Sequence, residues 1–201
     1  AFHVGQVHLR FVEVAATRQQ AYQQRARLER DRLGGVAVAL KQRIGAMVLL
    51  GTSSAFGKPG GELGRWQREF LAQRLAPLDA GAGMAKLAPG LVQGMASRYA
   101  PHDAIARAAL LMAAVPEATY RAALGAITRF DRRAALDELR LPVLCLVGAD
   151  DRNAPPVVME AMSQRIAGAW LRVLPDVGHL AQMEAPQAVN PALVEFLQAV
   201  F

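Results

Sequence analysis

An acid and a histidine follow two neighbouring predicted strands in the second half of the chain. Asp150 and Asp151 come directly after an apolar run that ends at Gly148, and His179 lies in the loop after the next predicted strand. Because the carboxyl ends of parallel strands meet at one edge of a sheet, we expect these side chains to lie close together. A carboxylate bonded to one imidazole nitrogen fixes the tautomer, and the other nitrogen can then take a proton from a nucleophile. The spacing therefore predicts an acid–base pair.

Short motifs surround this pair. They are Met47-Val-Leu-Leu-Gly-Thr-Ser-Ser54, Pro142-Val-Leu-Cys-Leu-Val-Gly148, Gly178-His179-Leu180 and Glu184-Ala185-Pro186. Together, over about residues 33–201, the sequence resembles the α/β-hydrolase family, most closely its esterases and lactonases, including enol-lactonases of the 3-oxoadipate type. The resemblance implies that Asp151 is the triad acid and His179 the general base. It also implies that residues 63–136 form the helical cap that covers the substrate pocket.

The nucleophile of that family, a serine in a G-x-S-x-G turn, has no counterpart in this sequence. By position, Arg32 stands where the serine would be and Arg30 where the first glycine would be. A sharp strand-to-helix turn needs small residues there, and the polar residues 19–31 cannot form the buried strand that precedes it. The His-Gly segment that contributes to the oxyanion hole is missing as well. The sequence therefore contains the acid and the base but no recognisable nucleophile.

Two functions follow from this combination. In the first, the chain is an α/β-hydrolase that resembles carboxylic ester or lactone hydrolases. Loss of a triad nucleophile costs about 10⁶ in kcat, so ordinary triad hydrolysis is not expected from it. The alternative is a non-catalytic hydrolase remnant that acts as a binding or interaction module. No cofactor and no metal are expected, since His3, His8 and His102 form no pair with metal-ligand spacing.

Other nucleophilic side chains are weaker candidates. Ser53 and Ser54 lie in the loop after a predicted strand, at the same sheet edge as His179, and either hydroxyl could approach the imidazole. A serine in such a loop more often caps backbone groups. Cys145, the single cysteine, lies inside a predicted strand and is expected to be a small buried apolar residue.

Composition and patterning predict one α/β domain. The chain has 201 residues, of which 53% are hydrophobic and 20% charged, enough apolar material for a sizeable core. Apolar runs without alternation are typical of parallel strands that are buried on both faces. The expected fold is a truncated α/β-hydrolase fold over residues 1–201, with a mostly parallel sheet and a helical cap inserted at about residues 63–136.

The same patterns predict the individual elements. Strands are expected at residues 4–14, 44–50, 141–147 and 170–174. Helices are expected at residues 17–31, 36–42, 66–75, 103–114, 116–130 and 156–166, and from 190 to the C-terminus. Asp103 and Asn190 are the expected N-caps, and residues 77–83 are expected to interrupt the helical region.

The charge balance is a weak guide to partners. The formal net charge is +6, and most of the basic residues are arginines next to acids. The arginine-rich residues 18–43 are expected to form a solvated helix face, so no nucleic-acid partner is predicted. The longest clear apolar run has eight residues, at 108–115, so no membrane span is expected. A cytoplasmic protein acting on a small apolar ester or lactone is predicted. Open strand edges would be covered by the N-terminal strand or by forming a homo-oligomer.

Overall fold

The computed structural model describes residues 44–56 and 64–201. The strand predicted at 4–14, the helices predicted at 17–31 and 36–42, and the residues around Arg30 and Arg32 lie outside the described residues. Within them the order is one strand, four helices, a 3₁₀ turn, a strand, a helix, a strand and two helices. This order confirms the α/β alternation predicted from the sequence.

The described sheet has three parallel strands in the order β1-β2-β3, namely β1 (Met47–Leu50), β2 (Val143–Gly148) and β3 (Trp170–Leu174). Cys145 in the middle of β2 is aligned with Leu49 on one side and with Leu171 on the other. Every residue of β2 is buried, as expected for a parallel strand covered on both faces. All three strands therefore end at the same edge of the sheet.

Seven helices and one 3₁₀ turn are present in the described part of the chain. They are α1 (Arg65–Asp79), α2 (Gly83–Met95), α3 (His102–Ala113), α4 (Glu117–Ile127), the 3₁₀ turn Arg133–Glu138, α5 (Pro156–Arg165), α6 (Ala181–Glu184) and α7 (Pro186–Val200). The first four lie in the region that was predicted to be helical throughout.

Four predicted helix limits were wrong: the helix predicted at 116–130 ends at Ile127, and the other three limits lie at a proline. The helix predicted at 66–75 runs on to Asp79 through Pro77, which removes one i→i−4 hydrogen bond, to the carbonyl of Gln73, without ending the helix. The final helix begins at Pro186 instead of Asn190, since a proline in the first turn lacks only an N–H that has no intrahelical partner there. Pro101, and not Asp103, stands at the N-cap of α3.

Two apolar clusters lie on opposite faces of the sheet. Leu144 and Leu146 of β2 point toward α7, whose Phe196 is fully buried and meets Trp170 edge-on at 5.6 Å between ring centroids. Val143, Cys145 and Val147 point to the other face, against α5 and the 3₁₀ turn. The alternation of side chains along a strand thus divides one apolar run between two cores.

The two ends of the helical segment between β1 and β2 are joined to each other. Ala55 and Asp131 form an antiparallel bridge, and the N–H of Phe56 donates to the carbonyl of Phe130 at 3.1 Å. Phe56 also packs on the ring of Trp66 in α1, with centroids 5.0 Å apart. The helices therefore leave and rejoin the sheet at one place; that they form a cap over a pocket stays a prediction. Among the described residues, none of the helices has the length and apolarity needed to cross a bilayer.

We predict that shortening a buried side chain of β2 lowers stability far more than shortening an exposed side chain of a helix. Leu146 is fully buried in β2, whereas Leu110 in α3 is 73% exposed. Leu146→Ala should lower the free energy of unfolding by about 2–5 kcal/mol through lost burial and a residual cavity. Leu110→Ala, the control, should change it by less than about 0.5 kcal/mol. Urea unfolding measures both; equal losses would contradict the placement of β2 at the centre of the sheet.

Candidate active site

The loops after β2 and β3 are held together by backbone hydrogen bonds. The N–H of Ala149 donates to the carbonyl of Leu174 at 2.8 Å, and the N–H of Asp150 donates to that of Val177 at 2.9 Å. This approach requires glycine at position 148, because a Cβ atom there would lie 2.2 Å from the carbonyl oxygen of Val177. The sheet edge thus brings the loop of the acid against the loop of the histidine.

Asp151 and His179 are bonded to each other, as the spacing predicted. Nδ1 of His179 lies 2.9 Å from Oδ2 of Asp151. The other carboxylate oxygen, Oδ1, accepts from the N–H groups of Asn153 at 2.8 Å and Ala154 at 2.9 Å. Since an ionised carboxylate can only accept, Nδ1 carries the proton and Nε2 is left as an acceptor. The arrangement can therefore perform general base catalysis.

Burial separates the roles of the two side chains. The carboxyl group of Asp151 is fully buried, whereas 26% of the His179 side chain is exposed. The acid is thus shielded from solvent, and the imidazole is accessible to a reacting molecule. The N–H of His179 donates to the carbonyl of Met95 at 2.9 Å, which ties the histidine loop to the end of α2.

The neighbouring acid, Asp150, is not the partner of the imidazole. Both Asp150 and Asp151 line an open cavity of about 320 Å³, together with Arg98 and Arg152. Among the described residues, the carboxylate bonded to the imidazole of His179 is that of Asp151. The structure thus separates two adjacent acids that the sequence places equally close to the end of β2.

Gly51 is a site residue that sequence reasoning missed. It follows β1, has a φ of +48°, and its N–H donates to the carbonyl of Leu146 at 2.9 Å. A Cβ atom at position 51 would lie 3.1 Å from Oδ2 of Asp151 and 3.5 Å from Nδ1 of His179. The missing side chain therefore leaves room for the acid–base pair. The signal in the sequence was a glycine directly after a buried strand, within one of the motifs that carry the resemblance, and no role at the site was predicted for it.

The serine and cysteine candidates are not bonded to the imidazole of His179. Ser54 accepts at its backbone carbonyl from the N–H of Arg132 at 2.7 Å. The hydroxyl of Ser53 donates to the carbonyl of Ala55 at 2.9 Å, as expected for a serine that caps its own loop. Cys145 is fully buried in β2, as predicted, and burial raises the pKa of its thiol. Within residues 44–56 and 64–201, no hydroxyl or thiol is hydrogen-bonded to the imidazole of His179.

The remaining histidines play no part in the described site. His102 is the first residue of α3, and His3 and His8 lie outside the described residues. In the part of the chain that the structure covers, no three His, Cys, Asp or Glu side chains are grouped closely enough to hold a metal ion.

A parallel sheet with an acid after one strand and a histidine after the next is the arrangement found in α/β-hydrolases. The model of the alpha/beta hydrolase family matches residues 21–192, and the chain belongs to this family. A thermophilic esterase from Thermogutta terrifontis is similar in sequence and fold. It is 29% identical, with a TM-score of 0.66, over 82% of this chain and 59% of that one.

Two further relatives match. The enol-lactonase from Burkholderia xenovorans LB400 is 24% identical with a TM-score of 0.63, over 78% of this chain and 57% of that one, and shows the fold alone. RutD of Caulobacter sp. strain K31 is 34% identical over 77 residues, which are 38% of this chain and 29% of that protein. The chain thus covers less than two thirds of the length of each of these relatives.

We predict that Gly51→Ala disturbs the acid–base pair and that Gly168→Ala does not. Both glycines have a positive φ, +48° and +71°, so each substitution should cost about 1–2 kcal/mol in backbone strain. No atom lies within 4 Å of a Cβ at position 168, whereas one at position 51 crowds Asp151. Only Gly51→Ala should therefore shift the imidazole NMR signals of His179, and urea unfolding should show the shared loss of stability. Equal NMR spectra for both variants would contradict this assignment.

A second prediction concerns the Cys145 thiol. Because it is fully buried and its pKa is raised, an aromatic disulfide reagent should label it at the slow rate of unfolding of the chain. The same reagent in denaturant should quickly label one thiol per chain. Fast labelling in native buffer would contradict the buried position and would restore this thiol as a nucleophile candidate.

Proposed function

We propose that the chain hydrolyses carboxylic esters or lactones, with His179 as the general base and Asp151 as the group that orients it. The observation that carries the proposal is the 2.9 Å hydrogen bond between a fully buried carboxylate and a partly exposed imidazole. The similarity to a thermophilic esterase at 29% identity supports the choice of substrate class. A small apolar ester is the proposed substrate.

Water is the proposed attacking nucleophile. Ser53 is bonded within its own loop, Cys145 is buried, and the sequence has no G-x-S-x-G turn. His179 takes a proton from water at Nε2 while the water oxygen bonds to the carbonyl carbon, and the carbonyl electron pair moves onto its oxygen. The C=O bond then re-forms, the bond to the leaving alkoxide breaks, and the imidazolium returns the proton to that alkoxide.

Hydrolysis of a short-chain p-nitrophenyl ester tests the proposal. Positioned general base catalysis contributes about 10²–10⁴ in rate, so His179→Ala should lose about that factor. His102→Ala is the matched control, because His102 lies at the exposed start of α3. It should keep the rate of the unmodified chain. A rate equal to that of buffer, or one that His179→Ala leaves unchanged, would overturn the proposal.

A fluorophosphonate probe distinguishes the source of the attacking oxygen. A covalent adduct on a serine, formed only when His179 is present, would replace water with that serine as the nucleophile. Mass spectrometry of the labelled chain would identify the residue. Turnover without an adduct supports attack by water.

The second candidate is a non-catalytic hydrolase remnant that binds ligands or partners. It is favoured by the lack of a hydroxyl or thiol bonded to the imidazole among the described residues. It predicts a folded chain with no turnover, in which an apolar ester shifts the NMR signals of His179 without being consumed. Turnover that depends on His179 would exclude this candidate.

A further inference from the structure

A second buried carboxylate stands behind the histidine loop. Glu184, the last residue of α6, is 4% exposed. Its Oε2 accepts from the N–H groups of Ser97 and Gly178, and its Oε1 accepts from that of Leu180, all at 2.9 Å. No cation is paired with it in the part of the chain that the structure describes. Within the described residues, the bonds to its oxygens come from backbone donors.

These donors surround His179. Gly178 and Leu180 flank it in the sequence, and its own N–H donates to the carbonyl of Met95. Three consecutive backbone N–H groups are thus held by two acceptors, so the backbone that carries the imidazole has little freedom to rotate. Hydrogen bonds to an ionised acceptor are roughly twice as strong as neutral ones.

The same carboxylate joins the loop to the connection between α2 and α3. Ser97 donates its N–H to Glu184, and its hydroxyl donates to the carbonyl of Asp176 at 2.8 Å. The two segments touch so closely that a Cβ atom at position 178 would lie 2.4 Å from the backbone nitrogen of Ser97. Glu184 is therefore the shared acceptor of the histidine loop and of Ser97, which lies 87 positions before Glu184 in the sequence.

We propose that Glu184 is a positioning residue, which holds the imidazole of His179 in line with the carboxylate of Asp151. The proposal rests on the function proposed above, since Glu184 would position the same general base, His179. A buried carboxylate is costly unless its oxygens are bonded, and an apolar side chain could fill the same space. The three backbone N–H groups that Glu184 aligns explain why a carboxylate is present at this position.

The experiment reads the hydrogen bond between Asp151 and His179 without turnover. In a chain with ¹⁵N-labelled histidine, the proton on Nδ1 of His179 is assigned by its loss in His179→Ala. Glu184→Gln keeps the size of the side chain but turns an amide N–H toward a backbone donor. It should raise the solvent-exchange rate of the Nδ1 proton by about ten- to hundredfold. Glu195→Gln is the control, because Glu195 is an exposed glutamate bonded to Arg172.

Glu184→Asp provides the second variant. It keeps the charge and shortens the side chain by one methylene, so the exchange rate should rise less than in Glu184→Gln. If Glu184→Gln does not fold, Glu184→Asp alone carries the test, and an unchanged Nδ1 proton in that variant would overturn the proposal. A folded Glu184→Gln with lower thermal stability but an unchanged Nδ1 proton would also overturn it, because the role of Glu184 would then be structural only.

The proposed function can fail separately. If the unmodified chain hydrolyses no ester, the NMR readout still shows whether Glu184 positions the imidazole. If it does hydrolyse esters, Glu184→Gln should lower kcat by about ten- to hundredfold with KM unchanged, because the defect lies in the base and not in substrate binding. A raised KM with unchanged kcat would argue against a role in positioning the base.

Discussion

The hydrogen bond between Asp151 and His179 imposes most of the constraints seen around it. A fully buried carboxylate is costly unless its oxygens are bonded, and here two backbone N–H groups and one imidazole bond to them. The imidazole completes that set only if the loops after β2 and β3 approach within hydrogen-bond distance. The two strands allow this because they are parallel neighbours that end at one edge of the sheet.

Three glycines permit this approach, one at the end of each strand or in the loop after it. Gly51, Gly148 and Gly178 each have protein atoms within 3.5 Å of where a Cβ would be placed. Only Gly51 has a positive φ, so at the other two positions close contact, and not backbone conformation, requires glycine. The crowding extends from the carboxylate of Asp151 to the backbone of Ser97. In a region packed this closely, small displacements of the backbone would produce clashes.

The sequence predicted the features that follow from local residue patterns. It missed those that depend on contacts between segments far apart in the chain. An unbroken apolar run predicted β2 and a mostly apolar run interrupted by Arg172 predicted β3, and acids and a histidine after these strands predicted the bonded pair. The helix α2 was not separated from its neighbours because Pro89 and several glycines obscure its periodicity. Gly51 and Glu184 stand in the quoted motifs, but their roles were not predicted, since Gly51 lies against Asp151 and His179 and Glu184 accepts from Ser97, all far away in the chain. The choice of Asp151 over Asp150 came from the resemblance, because spacing alone does not distinguish adjacent acids.

The end of α2 and the connection to α3 are hydrogen-bonded to the loop that carries His179 and to Glu184. Met95 ends α2 and accepts from the N–H of His179, while Ser97, two residues later, donates to Glu184. A movement of α2 and α3 relative to the sheet would strain or break these bonds before it disturbed the carboxylate of Asp151, which is held within its own loop. The acid is thus fixed by local bonds and the base by bonds to the helices.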